Sequence, residues 1–286
     1  SVAMELFTEY GTILIIMAGA FGFFMAWGVG ANDVANAMGT SVGSKALTIK
    51  QAILIAMVFE FAGAYLAGGE VTSTIRKGIV DTDVFTDKPD LLVFGMLSAL
   101  LAAGTWLAIA SFRGWPVSTT HSIVGAIVGF AAVGVSNDAV NWDKVSTIVA
   151  SWVVSPIMAG TISFAIFRSV QRLILIRDNP FDRAKQYAPM YMFAVGFLMA
   201  MVTLLKGLKH VFKDFGIKLS FGENAVVAIG FGIFVAIIGT YLLSKVERDI
   251  SKEEDNRFYN VERVFAVLMI FTACSMAFAH GSNDVA

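Results

Sequence analysis

MAWGVGANDVA, Met25 to Ala35, and MAFAHGSNDVA, Met276 to Ala286, are two readings of one motif, and each closes a long apolar segment. Seven of the eleven aligned positions are identical at a constant offset of 251 residues, from Asp33 to Asp284. Each copy puts a carboxylate where hydrocarbon would otherwise be required. Duplicated, Gly-flanked polar interruptions in matched apolar segments are the sequence mark of a secondary transporter, whose site lies between two repeats near mid-membrane.

The composition around the motif fits that reading. Hydrophobic residues make up 57% of the 286 and the mean hydropathy is +0.72, against roughly 45–50% apolar usage in soluble domains. Charged residues amount to 15% and sit mostly between apolar runs, so the chain reads as an integral membrane protein. A net charge of −1 gives nucleic acid no basic surface to bind. Ser1 to Tyr10 carries Glu5 and Glu9 and no basic residue, so the first apolar stretch reads as a retained span and not a cleaved leader. With Cys274 as its single cysteine, the chain forms no intrachain disulfide.

Hydropathy predicts spans near residues 12–31, 51–68, 91–111, 145–167, 190–206, 224–244 and 261–279. Residues 115–135 are ambiguous: Trp115-Pro116 and the polar residues after Val117 suit a broken or re-entrant element better than a simple helix. Basic residues in 168–189 (Arg168, Arg172, Arg177, Arg183, Lys185) and 245–263 (Lys245, Arg248, Lys252, Arg257, Arg263) place both stretches inside. The acidic N-terminus is then outside, which the four spans before residue 168 allow only if 112–135 contributes one net crossing; under that count the two Asn-Asp segments enter from opposite faces, as inverted repeats do. Lys206, Lys209, Lys213 and Lys218 in the 206–223 stretch run against this orientation. The expected organisation is a single polytopic all-α membrane domain over 1–286, with a first structural repeat at 11–167, basic loops and intervening spans at 168–260, and the start of a second, inverted repeat at 261–286. The second copy ends at Ala286, where the first continues with Asn36-Ala37-Met38-Gly39, so the sequence reads as part of a longer transporter.

Two groups of residues carry the chemistry. Asn32, Asp33 and Asn36 follow Gly28 and Gly30; Asn32 and Asn36 are four apart on one helix face, and the glycines let the backbone unwind and offer carbonyl oxygens. Hard oxygen ligands of this kind suit Na⁺, and Asp33 and Asp284 could equally take up a proton. The structural alternative is a helix cap, which Asn and Asp commonly supply. Ser118, Thr119 and Thr120 open a Gly-rich apolar helix, where hydroxyls and backbone N–H donors meet the positive end of the helix dipole and can bind an oxyanion. Here too an N-cap at the membrane interface, with Trp115 as an aromatic anchor, is the alternative. Because no Arg or Lys lies within a clear span except Lys206 and Arg263 at span ends, an anion's charge has to be balanced by co-bound cations, which makes the affinity for each depend on the other.

Glu60 lies mid-span, protonated or facing a polar partner, in a coupling or a structural role beside the small-residue pair Ala64 and Gly68. His121 and His280 lack metal-ligand spacing and read as packing or gating groups. No nucleophile–base pair, phosphate loop or metal cluster suggests an enzyme, and no cofactor is implied. A passive anion pore of paired half-helices is an alternative, though it needs polar lining and not two buried carboxylates; a non-transporting scaffold would explain neither the duplication nor the broken segments.

GANDVANAMGTSVGSKALT at Gly30–Thr48, GWPVSTTHSIVGA at Gly114–Ala126 and GSNDVA at Gly281–Ala286 resemble the signatures of the inorganic phosphate transporter (PiT) family. The resemblance implies a phosphate symporter of the cell membrane driven by Na⁺, or by H⁺ as in the proton- or metal-phosphate-coupled bacterial members. It also implies inverted repeats with broken helices and re-entrant helical hairpins, and a homodimer. Carried onto this chain, it assigns phosphate to Ser118, Thr119, Thr120, Asn36, Asp33 and Asp284, and Na⁺ to Asn32, Asp33, Asn36, Thr120, Asn283 and Asp284.

Overall fold

The hydrophobic runs become helices long enough to satisfy their own backbone while crossing a bilayer, as lipid demands of any spanning segment. The structure, a computed structural model, describes residues 2–207, 212, 213 and 215–286; the expectation for Lys209 lies outside the described residues. Among those residues seven helical segments have the length and apolarity of a span: Val2–Gly43, Ile49–Ala67, Pro89–Arg113, Trp142–Leu175, Pro180–Gly207, Phe221–Ser244 and Tyr259–Val285. They correspond one for one with the seven predicted spans. The ambiguous stretch forms a shorter apolar helix, Thr119–Gly134, only 16 residues long. β-structure among the described residues is limited to an isolated bridge, Val80 with Val140.

We number the main helices α1 (Val2–Val29), α2 (Ala35–Gly43), α3 (Ile49–Ala67), α4 (Pro89–Arg113), α5 (Thr119–Gly134), α6 (Trp142–Val170), α7 (Pro180–Val202), α8 (Phe221–Ser244) and α9 (Tyr259–His280). The chain divides into two compact units that interleave along the sequence, one of residues 2–36 and 70–152 and the other essentially of 37–69 and 153–284.

In the first unit α1 packs on α4 and α4 on α5. Small residues permit the first contact: a Cβ on Gly28 would crowd Leu107, and one on Gly104 would crowd Phe24. At its far end α5 buries Val124, Ile127 and Ala131 in a core with Ile79, Val80, Phe85, Ala99, Ala139 and Val140. Two hydrogen bonds flank the bridge there, from Asp81 N to the Ala139 carbonyl and from Asn141 N to the Ile79 carbonyl, both 2.9 Å. The near end of α5 is set by how α4 stops. Gly114 takes a left-handed conformation at φ 70°, and Trp115 N donates to the Ala110 carbonyl across 2.8 Å. Pro116 cannot continue a helix, so the chain runs on extended until Ser118 caps α5.

In the second unit α7 packs on α8, and α9 lies against α3 and α7. Ala52, Ala56, Glu60, Gly63 and Ala67 form the buried stripe of α3. α9 approaches α3 closely at Gly63, one residue before the expected Ala64, where a Cβ would collide with the carbonyl of Phe278. Asn260, fully buried, ties down the loop before α9: its Oδ1 accepts from Asp249 N at 3.0 Å, while its Nδ2 donates to Asp249 O at 3.0 Å and Glu253 Oε1 at 2.8 Å. Arg248 first and Asn260 second hold the Glu253 carboxyl down to about 2, so this contact persists as pH falls until that value is reached. No residue in the most apolar window of α6 is buried; such a surface is stable in hydrocarbon, where apolar side chains need no protein cover.

Candidate functional site

Both Asn-Asp motifs fold the same way. Gly30–Val34 and Gly281–Val285 each form a five-residue π-helical turn that extends the preceding helix. The expected unwinding is therefore a widening: the first helix runs on without interruption from Val2 to Gly43. Turns of this type cost hydrogen-bond geometry and concentrate at functional positions. Here one widened turn lets the adjacent residues Asn32 and Asp33 both point inward, at 6% and 9% exposure.

Around the first motif, Asn32 reaches the chain between α4 and α5. Its Nδ2 donates to the Trp115 carbonyl at 2.8 Å and to Ser111 Oγ at 3.4 Å, and its Oδ1 accepts from Val117 N at 3.2 Å. The side-chain amide thus pairs with the backbone on both sides of Pro116 as a neighbouring strand would. Asp33 accepts a hydrogen bond from the Thr119 hydroxyl through its Oδ2, and Thr119 is 2% exposed. Ser118 Oγ accepts from His121 N at 3.2 Å and lies 3.0 Å from Thr120 Oγ1. The helix start offers the amides of Thr119 and Thr120, which lack intrahelical acceptors as first-turn amides do, together with the remaining hydroxyl hydrogen of the Ser118–Thr120 pair. A buried carboxylate and an oxyanion-type donor set are thus joined by one hydroxyl. The His121 ring packs on Trp152 with centroids 3.8 Å apart, the packing role expected for it.

Around the second motif the chemistry differs. His280 stands where the first copy has Val29, and its Nδ1 lies 2.6 Å from Glu60 Oε1. The same ring approaches the second acidic residue, with Nε2 3.6 Å from Asp284 Oδ2. The side chains of His280 and Glu60 are 10% and 12% exposed. Glu60 therefore faces a polar partner, the second of the two options its mid-span position allowed. A Cβ on Gly281 would collide with the backbone of Glu60, so the contact that delivers the carboxylate to the imidazole needs glycine there. Ser282, also buried, returns its hydroxyl to the Ala279 carbonyl at 2.8 Å.

Of the residues assigned from the sequence, Asn32, Asp33, Ser118, Thr119 and Thr120 come together in the first unit. Asp284 sits beside His280 in the second. Asn36 and Asn283 are exposed; Asn36 does not share the buried face of Asn32, because the backbone between them has passed from the π turn into α2. Two relations escaped the sequence reading, the Asn32 clamp and the His280–Glu60 pair. The second had a visible trace: among the aligned positions His280 puts an ionisable ring where the first copy has Val29, and a mid-span carboxylate requires a partner.

The helices and these two motifs define a multi-pass, all-helical membrane protein with polar groups built into matched helix turns. The profile of the phosphate transporter family matches residues 29–286, and the chain belongs to that family. It is 49% identical to a putative phosphate permease of Haemophilus influenzae over 99% of this chain and 66% of the relative. It is 42% identical to the inorganic phosphate transporter 2-1, chloroplastic, of Arabidopsis thaliana, over 97% of this chain and 48% of that protein. Among solved structures it resembles one described as the sodium-dependent phosphate transporter, with TM-score 0.83, 38% identity, and coverage of 96% of this chain and 64% of that one. The chain thus spans about half to two thirds of the length of these relatives.

Proposed function

We propose that the full-length protein is a secondary active transporter that carries inorganic phosphate across the cell membrane, coupled to a Na⁺ gradient, by alternating access. The observation that carries this reading is the Asp33–Thr119 hydrogen bond, which sets a buried carboxylate beside the hydroxyl-bearing start of α5. Phosphate binds at that start, through the amides of Thr119 and Thr120 and the hydroxyls of Ser118, Thr119 and Thr120. Neutral donors suit an anion that must be released again, since an Arg clamp would hold it strongly. Asp33 supplies a cation with a hard anionic oxygen, and Thr120 lends a neutral one; the full-length protein works as a homodimer. The sodium dependence in the description of the similar solved structure supports Na⁺ as the coupled ion.

A proton-coupled symporter is the second reading, and the His280–Glu60 pair with Asp284 nearby favours it, because an imidazole between two carboxylates is suited to accept and pass on a proton. Phosphate uptake by full-length Asp33→Asn in proteoliposomes tests the assignment. Loss of gradient-driven uptake with a normally folded protein is expected; unchanged coupled uptake would remove Asp33 from the site.

A further inference from the structure

We infer that the cavity between the end of α7 and the start of α8 binds an anionic phospholipid by its headgroup and glycerol region. The chain there leaves an apolar span at Gly207 and enters the next at Phe221, so the cavity lies where hydrocarbon gives way to headgroups. It measures about 490 Å³, inside the roughly 300–1,000 Å³ of small-ligand sites. Its lining is of three kinds. Leu204 and Leu205, from the π turn that extends α7, and Phe221 are apolar; Lys213 and Lys218 are basic and exposed; Asn224, near the start of α8, is a buried amide. Asn224 is 7% exposed and lines the cavity, yet its side chain has no hydrogen-bond partner among the described residues. A buried amide in that state is costly, and an occupant with a carbonyl acceptor relieves the cost.

A chain reversal brings the two lysines to the same cavity. Gly216 is left-handed at φ 71°, its N donates to the Lys213 carbonyl at 3.1 Å, and Ile217 N donates to the Phe212 carbonyl at 2.7 Å. Lys213 and Lys218, on either side of this turn, both line the cavity, and none of the described lining residues is acidic. The carboxylate of Glu223 instead accepts from the Ser220 hydroxyl at 3.3 Å, at the cap of α8. Phosphate, ester and hydrocarbon follow one another in a phospholipid, and the lining offers a partner to each: ammonium groups for the phosphate, the Asn224 amide for an ester carbonyl, and Leu204, Leu205 and Phe221 for the chains. A soluble phosphate would leave the apolar wall uncovered. A zwitterionic lipid would bring a second positive charge towards the lysines. Lys213 and Lys218 are among the lysines that run against the orientation read from the basic loops, and headgroup binding gives them a role apart from topology.

The test measures binding of chain-labelled phosphatidylglycerol to the purified full-length protein in neutral detergent, with phosphatidylcholine of the same chains for comparison and glycerol phosphate as a soluble competitor. Wild type should prefer phosphatidylglycerol by about tenfold or more, and Lys213→Gln combined with Lys218→Gln should bring the two lipids to within about twofold of each other. Lys77→Gln combined with Lys88→Gln, which removes two exposed lysines outside the cavity lining, should leave the preference intact. Asn224→Leu, which keeps the volume and removes the amide, should weaken phosphatidylglycerol binding by about threefold to tenfold. Equal affinity of the wild type for both lipids would overturn the inference. So would a preference that survives loss of Lys213 and Lys218 or falls equally on loss of Lys77 and Lys88, and so would unchanged binding in Asn224→Leu. Displacement of the lipid by an equal concentration of glycerol phosphate would also overturn it, by showing a site for soluble anions.

Discussion

Two of the π turns, Gly30–Val34 and Gly281–Val285, share their backbone form and most of their sequence but not their surroundings. The first meets the hydroxyl-bearing start of a helix, with Asn32 clamping the backbone and Asp33 accepting from Thr119. The second meets a carboxylate from α3 through His280. The duplicated turn therefore repeats a backbone form, while the residue just before it and the helix opposite set its surroundings: Asn32 and Asp33 are buried in the first copy, whereas Asn283 is exposed and Asp284 half-buried in the second. The first copy has the apolar Val29 before its turn, and its acidic residue accepts from a hydroxyl; the second has His280 there, a ring that approaches both Glu60 and Asp284. On the proposed function, the first would serve an ion and an anion, and the second a proton relay or a charge anchor.

The largest effect expected from breaking this asymmetry is at Asp33. Asp33→Asn should abolish sodium-driven phosphate uptake, whereas Glu60→Gln should leave sodium-dependent phosphate binding in place and remove any component of uptake driven by a proton gradient alone. Equal loss of sodium-dependent binding in both variants would erase the distinction between the two turns.

The matched glycines give a contrast in stability. Gly281→Ala should destabilise by about 1–3 kcal/mol, the usual range for overpacking, because the added methyl meets the Glu60 backbone. Gly30→Ala should be neutral or stabilising by roughly 0.5–1 kcal/mol, since that position is open and alanine favours helix. Thermal unfolding in detergent reads both, and equal effects would contradict the difference in packing.

An effect of similar size is expected at Asn32. Asn32→Ala leaves Val117 N and the Trp115 carbonyl without their side-chain partner, a loss of about 1–3 kcal/mol. If that loss falls on the organised site, phosphate affinity drops about tenfold. Faster hydrogen exchange at Val117 should accompany the drop, and unchanged exchange there would contradict the clamp.

Much of this was legible in the sequence because hydrophobicity is local. Seven spans can be read from runs of apolar residues, and Asp33 and Ser118–Thr120 stand out as polar groups in apolar company. The π form of the Asn-Asp turns was not legible, since glycine flanks are compatible with unwinding as well as with widening. Nor were the pairings of Asn32 with Val117 and of His280 with Glu60, which span 85 and 220 residues of chain and depend on which helix faces which. Residue spacing places Asn36 beside Asn32, but the widened turn and the packing leave only Asn32 and Asp33 inside.

The central claim is that phosphate movement is driven by a cation bound at the first Asn-Asp turn. Radiolabelled phosphate uptake into proteoliposomes holding the full-length protein, with sodium and proton gradients imposed separately, tests it most directly. Accumulation above equilibrium under an inward Na⁺ gradient, absent in Asp33→Asn, is the predicted result. Uptake that merely equilibrates, or that follows only the proton gradient and survives Asp33→Asn, would contradict it.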